Sequence, residues 1–391
     1  MLASKPRRIA YFVTVDWYFC LHYLALARAA RAAGFEVTVI TGVAEHGDAI
    51  RSAGLELIPL EVSRKGMHPW QELKSILGLI RILRGLRPDL LHNIAQKPVL
   101  YGTLAARLTG VPAVFNGVAG MGWLFTSNAL RARLVRALVG RAYRGLLAAP
   151  NVRVLVQNPD DQAQVQQLTG VMPVQLPGSG VDVTRFVPRG EPPGPAVVVL
   201  ASRMLWDKGV GEFVAAARLL RQRGSLPSIQ ARFALVGTPD PGNPASVSED
   251  QLIDWQQEGC IEWWGYRADM PAVLAQAHIA CLPSYYREGL PKFLIEAAAA
   301  GLPLVTTDAT GCREAVQAGV NGLLVPPRDP VSLADALEQL LLDADRRKRF
   351  GVASRALAIE RFDAVKIHGK TLAVYHELLD KTCRVRSAYP T

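Results

Sequence analysis

Apolar and polar positions follow one rhythm through most of the chain: a short apolar run, then a longer segment with apolar residues at helical spacing. In the first half the runs are IAYFVTV (Ile9–Val15), EVTVIT (Glu36–Thr41), LELIPL (Leu55–Leu60), DLLHN (Asp89–Asn93) and PAVFN (Pro112–Asn116). Strands alternating with amphipathic helices predict a parallel sheet covered on both faces. The rhythm stops at VPRGEPPGP, where Pro188, Pro192, Pro193 and Pro195 crowd together. It restarts with AVVVLAS, ARFALVG, CIEWWG, HIACLPS, LPLVTTD and NGLLVP. The pattern therefore predicts an α/β protein of two doubly wound, Rossmann-like domains joined by a proline-rich hinge. The expected bounds are 1–187 and 188–363, with 364–391 as a C-terminal helix packing back on the first domain. Sheets of this kind bind ligands at the carboxyl ends of their strands, and two that face each other offer a cleft.

Composition agrees with this and narrows the setting. A chain of 391 residues exceeds one ordinary core, so two domains are the natural division. Its five cysteines are scattered and form no CxxC pair, which fits a reducing compartment rather than a disulfide or zinc framework. The start, MLASKPRRIAYFVTVDW, imitates a signal peptide, but Asp16 ends the apolar run and no small-residue cleavage site follows. A first strand is the expectation there. No apolar stretch is long enough to span a membrane as a helix.

Charge changes the picture more. Residues 1–180 hold 20 Lys+Arg against 10 Asp+Glu, and the remainder hold 24 of each, so the whole net charge of +10 sits in the first half. Nucleic acid, an anionic membrane surface, an anionic substrate or a merely solvated surface each fit such an excess. The densest part is NALRARLVRALVGRAYRGLL (Asn128–Leu147). On a helix its Arg133, Arg136, Arg141 and Arg144 fall within an arc of roughly 140°. With apolar residues opposite, this reads as a basic amphipathic helix facing lipid headgroups or phosphates.

Most familiar motifs are absent or misplaced. GVAGMG (Gly117–Gly122) lacks dinucleotide-binding spacing, and the GKT at Gly369–Thr371 would need a glycine where Ala364 stands. The Asp-x-Asp at Asp343–Asp345 lies in a polar break between helices, where a solvated surface is the expected role. A phosphate-handling set survives. Arg203 and Lys208 follow the strand AVVVLAS, and two cations just past a strand end suit a diphosphate. In REGLPKFLIEAAAAG, Gly289 and Leu290 precede a helix that Pro291 can open, so their N–H groups would face an anion. Glu288 then stands beside whatever that phosphate carries. Glu296 lies deeper in the same helix, where leucine would avoid the cost of burying a charge. One glutamate for a sugar and one for a ribose accounts for both, since hydroxyl donors need acceptors.

Together, Arg203 and Lys208 in ASRMLWDKGV and the Glu-x7-Glu of REGLPKFLIEAAAAGLPLVTTDATGCREAV resemble family 4 retaining glycosyltransferases, which have the two-domain GT-B fold. GSGVDVTRFVP (Gly178–Pro188) resembles that family's interdomain crossover. DLLHNIAQKPVLYGTLAARLTGVPAVFNGVAGMGWLF resembles members that build capsular, O-antigen or other lipid-linked oligosaccharides. The resemblance implies a UDP-sugar donor, one carrying an N-acetylhexosamine among them, and a polyprenyl-diphosphate-linked saccharide as acceptor. It implies Glu288 at the donor sugar and Glu296 at the ribose, with neither cofactor nor metal. Glu288 and His92 are the catalytic candidates, His92 from the opposite wall, with Lys97, Asn116 and Gly120 in adjoining loops as acceptor-side candidates and Arg267 expected near base or phosphates. The expected setting is cytoplasmic, on the inner face of the cell membrane, with an anionic membrane surface and no nucleic acid as partner. A sugar-nucleotide epimerase or hydrolase of the same fold, and a non-catalytic membrane-assembly module, are the alternatives.

Overall fold

A computed structural model of the chain describes residues 6–63, 68–118, 140–141, 143–224 and 231–388. The chain divides into two compact units, residues 1–179 with 366–391, and residues 180–365.

The first unit carries a parallel sheet of β1 (Arg8–Val15), β2 (Glu36–Gly42), β3 (Glu56–Pro59), β4 (Leu90–Ile94), β5 (Ala113–Gly117), β6 (Val152–Val156) and β7 (Val174–Gln175), in the order β3-β2-β1-β4-β5-β6-β7. Every residue of β4 and β5 is buried, as continuous apolar runs in a parallel sheet require. One apolar layer joins one sheet face to Tyr375, Leu378 and Leu379 of the C-terminal helix Ala364–Ala388. On the other face the helix Pro69–Leu86 contributes Leu79, Ile80 and Leu83 to a second layer. Two strands were not anticipated: β6, whose VRVLV run is interrupted by Arg153, and the two-residue edge strand β7.

The second unit holds β8 (Val197–Ala201), β9 (Arg232–Val236), β10 (Glu262–Trp263), β11 (Ile279–Leu282), β12 (Leu304–Thr307) and β13 (Gly322–Val325), ordered β10-β9-β8-β11-β12-β13 and parallel throughout. Each lies inside an apolar run expected to be a strand. In both sheets the order reverses once, between β1 and β4 and between β8 and β11. The doubly wound architecture is thus the observed one.

The expected hinge is misplaced. The change of unit falls at Gly180, not at 187/188, and the proline-rich stretch lies within the second unit. Backbone bonding explains the shift. Val181 N–H donates to Phe362 O and Ala364 N–H to Val181 O. The Arg355 guanidinium donates to Val183 O, Phe186 O and Ala299 O at 2.7–2.9 Å. Glu191, among the prolines, accepts two bonds from Arg347, at 2.7 and 3.0 Å. Prolines set local stiffness here, while a long-range arginine decides which core the segment joins.

Arg355→Ala orphans three carbonyls that a charged donor satisfies. Unsatisfied groups of that kind cost about 1–3 kcal/mol each when buried, and these are only partly so. The expected loss is about 3 kcal/mol in urea unfolding, with new proteolytic cleavage within 181–190. An unchanged urea midpoint and cleavage pattern would show that the arginine does not hold this segment.

Candidate active site

The reversal between β8 and β11 brings together two segments far apart in sequence. β8 ends at Ala201 and leads to Arg203 and the short 3-10 turn Trp206–Lys208; β11 ends at Leu282 and leads through Ser284 to Leu290 and the helix Lys292–Ala299. Two glycines let these segments meet. Gly209 has φ +76°, and a Cβ there would strike Pro283 O; Gly311 has φ +82°, and a Cβ would strike the carbonyls of Glu288 and Gly289. Each therefore allows an approach that any side chain would block.

At the junction the Lys208 ammonium is ion-paired with Glu288 Oε1, and both side chains are largely buried. Ser284 Oγ lies 3.1 Å from the same carboxylate oxygen. The Lys208 ammonium also stands 5.6 Å from the centre of the Tyr286 ring. Backbone N–H groups of Tyr285 and Tyr286 both donate to Asp207 O, clamping the two loops together. Arg203 is half exposed and paired with Asp240 at 2.7 Å. Asp207 Oδ1 is buried without a hydrogen-bond partner among the described residues. Burial raises the Asp207 carboxyl above its usual range, Lys208 opposes that rise, and Glu288 adds to it. Alongside, the helix Lys292–Ala299 starts after Pro291 with no side-chain cap. Two cations and an uncapped helix N-terminus converge there, which is the arrangement that binds a diphosphate.

Glu296 sits one turn into that helix, only 8% exposed. Burial pushes its carboxyl up to about 7, against opposing pulls from Lys292 and Arg185. Lys292 Nζ lies 3.9 Å from Glu296 Oε1 and is itself lowered, chiefly by burial. A carboxyl poised in this way accepts hydroxyl hydrogen bonds once a neighbour favours its ionised form.

The first-unit candidates fare differently. His92 is fully buried in β4 among Tyr11, Tyr23, Phe115 and Tyr375, with Nδ1 2.6 Å from the Tyr375 hydroxyl. Burial pushes its imidazole down to about 3, so it stays neutral inside a packed core. Its Nε2 is buried without a hydrogen-bond partner among the described residues, and the expected catalytic role would require the strand end to open toward that nitrogen. Asn116 is also fully buried, accepting from Asn93 Nδ2 at 2.8 Å and bonded to Thr103. It locks β5 to β4 and to the helix Gln96–Thr109. Lys97 is paired with Glu72 at 2.6 Å and donates to Ser63 O, which ties that helix to Pro69–Leu86. Gly120, Arg133 and Arg136 lie outside the described residues. Arg141 and Arg144 are exposed, Arg144 Nε donating to Leu168 O at 3.2 Å. Arg267 is exposed in the loop after β10.

Sequence reasoning missed the supporting set: Asp207, Asp240, Ser284, Tyr286, Lys292, Arg185 and Gly311. Asp207, Lys292, Gly311 and Arg185 stood inside the motif segments; Asp240, Ser284 and Tyr286 become partners only through the fold. Asp343, of the Asp-x-Asp, caps the following helix by accepting from Arg346 N–H at 2.7 Å. Among the described residues no cluster of three or more metal-ligating side chains occurs.

Comparison with known proteins adds independent findings. Residues 195–343 match the family described as "Glycosyl transferases group 1", and residues 8–158 match "Glycosyl transferase 4-like". The N,N'-diacetylbacillosaminyl-diphospho-undecaprenol alpha-1,3-N-acetylgalactosaminyltransferase of Campylobacter jejuni is 28% identical over 82% of this chain and 85% of its own length. The UDP-Gal:alpha-D-GlcNAc-diphosphoundecaprenol alpha-1,3-galactosyltransferase of Escherichia coli is 25% identical over 70% and 71%. Among solved structures, Anabaena HepE in complex with UDP and glucose has a TM-score of 0.76 at 17% identity, covering 94% of this chain and 99% of that one. Thermosynechococcus elongatus sucrose-phosphate synthase has a TM-score of 0.78 at 19% identity, covering 96% and 100%.

The raised Glu296 carboxyl sets a pH dependence. Its unfolded value is near 4.5 and its folded value about 7, so the unfolded chain ionises first as pH rises. Native stability is therefore complete below pH 4.5 and falls between there and pH 7, by on the order of 3 kcal/mol at most. In thermal melts without ligand, Glu296→Gln should gain midpoint relative to wild type between pH 5 and pH 8. A difference independent of pH would show that the glutamate is not held in its neutral form.

Proposed function

The chain belongs to the group 1, family 4-like glycosyltransferases and has their GT-B fold, and from that premise we propose that it moves a sugar from a UDP-sugar to a polyprenyl-diphosphate-linked saccharide. Its being a glycosyltransferase follows from the family; the donor, the acceptor and the chemistry are our reading. The carrying observation is the convergence of Lys208, Arg203 and an uncapped helix N-terminus at the β8/β11 reversal, with Glu288 in contact with Lys208. The relatives from Campylobacter jejuni and Escherichia coli are both named for undecaprenol-diphosphate-linked substrates, which supports the acceptor class. The former is named for N-acetylgalactosamine transfer, which supports an N-acetylhexosamine as the sugar.

In this reading Lys208, Arg203 and the helix N-terminus hold the diphosphate and take up the charge it gains on leaving. The bond from the sugar's anomeric carbon to the β-phosphate oxygen breaks, its electron pair staying with the phosphate. The acceptor hydroxyl oxygen forms the new bond from the same face and passes its proton to that phosphate oxygen. Configuration is retained and no protein nucleophile is used. Glu288 orients the donor sugar and Glu296 accepts from ribose hydroxyls. Metal is not required, because fixed cations and amides perform its electrostatic task. Arg267 stands as a contact to base or phosphates. Among the described arginines of the basic segment, Arg141 and Arg144 are exposed toward solvent and suit a membrane's anionic headgroups. The enzyme would then work at the cytoplasmic face of the membrane, where a lipid-linked acceptor presents its head. No nucleic acid enters this account.

A nucleotide panel tests the donor. UDP should raise the melting midpoint above that with ADP or GDP, by mass action on the folded state. Transfer from a UDP-N-acetylhexosamine to a polyprenyl-diphosphate saccharide should continue undiminished in EDTA. Loss of transfer in EDTA, restored by Mg²⁺ or Mn²⁺, would overturn the metal-free mechanism.

A further inference from the structure

The helix Pro69–Leu86 has two unlike faces. Its inner face places Leu79, Ile80 and Leu83 in the first unit's core, with Ile76, Ile82 and Leu86 partly buried against the same layer. Glu72 on that side pairs with Lys97, fixing the helix in rotation. The outer face is the anomaly. Trp70 is 82% exposed, Leu77 56% and Leu73 45%. Lys74, Arg81 and Arg84 are exposed as well. At 100° per residue these six fall within an arc of about 100°, and no carboxylate lies among them. An ordinary solvated face would carry neither a tryptophan nor two leucines so exposed, beside cations with no acidic neighbour on the arc.

We propose that this face is an interfacial membrane anchor, with Trp70, Leu73 and Leu77 seated among the acyl-chain ends of an anionic bilayer and Lys74, Arg81 and Arg84 on its headgroups. The inference rests on the lipid-linked acceptor proposed above and adds a surface that the basic segment Asn128–Leu147 does not contain. Charge decides the occupant. A tryptophan and leucines interleaved with Lys and Arg match the interface of an anionic bilayer, where aromatic rings sit at headgroup depth and basic stems reach upward. A second copy of this chain is disfavoured, because a two-fold contact would set these cations against themselves. The helix itself is held by its inner face, so the outer side chains are not needed for folding.

The test is co-sedimentation of the full chain with phosphatidylcholine vesicles, with and without 30% phosphatidylglycerol. The wild type should bind the anionic vesicles far better. Each cation near such a surface is worth about fivefold in partitioning, so Lys74→Gln/Arg81→Gln/Arg84→Gln should weaken binding by about 100-fold, less at high salt. Trp70→Gln/Leu73→Gln/Leu77→Gln should weaken it at least tenfold even on anionic vesicles. Both variants should keep the wild-type melting midpoint and its rise with UDP. Wild-type vesicle binding by both variants would overturn the anchor while leaving the donor reading intact. Concentration-dependent self-association abolished by the apolar substitutions, with vesicle binding unaffected, would assign the face to a second copy and also overturn it. A wild type that gains nothing from UDP would instead sink the function proposed above, and the vesicle comparison would still decide the anchor.

Discussion

Between β8 and β11 the connections leave the sheet in opposite directions, β8 toward β9 and β11 toward β12, so no crossover covers the carboxyl edge there. That opening is where a doubly wound sheet can receive a ligand. It also determines which residues can cooperate. Arg203 and Lys208 come from one side of the reversal, Ser284 to Leu290 from the other, and Gly209 and Gly311 remove the Cβ atoms that would hold them apart. The candidate site of the second unit depends on this one topological feature.

Buried polar groups in the two units have opposite meanings, and burial alone does not separate them. His92, Asn93 and Asn116 are buried in strand interiors and bond to partners within the first unit, although His92 Nε2 and Asn93 Oδ1 are left without a partner among the described residues. Glu296 is buried one turn into its helix and Asp207 half-buried in the turn after β8, each beside a lysine, and burial raises both carboxyls. A bound nucleotide-sugar would supply the hydroxyl donors that Glu296 lacks. Carrying such groups costs stability, which is the usual mark of a site rather than of a core.

The strands were legible because a parallel sheet buries both faces of each strand and writes it as one apolar run. β6 escaped because Arg153 breaks its run, and β7 because two residues leave no pattern. The meeting of Lys208 and Glu288 was legible because each sits at a fixed offset from a strand end or a helix start, which are local facts. The surroundings of His92 were hidden for the opposite reason. It lies beside the end of a strand in sequence, but its environment comes from Tyr375, 283 residues away. The partners of Lys97 and Asn116 were hidden likewise, since Glu72 and Asn93 reach them through the fold. The proline-rich segment misled because composition signals stiffness, whereas the division between units follows the bonds made by Val181 and Arg355.

The central claim is that Lys208 and the β8/β11 junction recognise a diphosphate. Titration calorimetry of UDP and UMP against the wild type and Lys208→Met tests it most directly, because the ratio of the two affinities cancels any general damage to the fold. A charge-assisted contact to the terminal phosphate is worth about 1.5–3 kcal/mol, roughly 10- to 150-fold. The account predicts that UDP outbinds UMP by at least about tenfold in the wild type, and that Lys208→Met removes most of that preference. A preference for UDP that survives the substitution unchanged would contradict it.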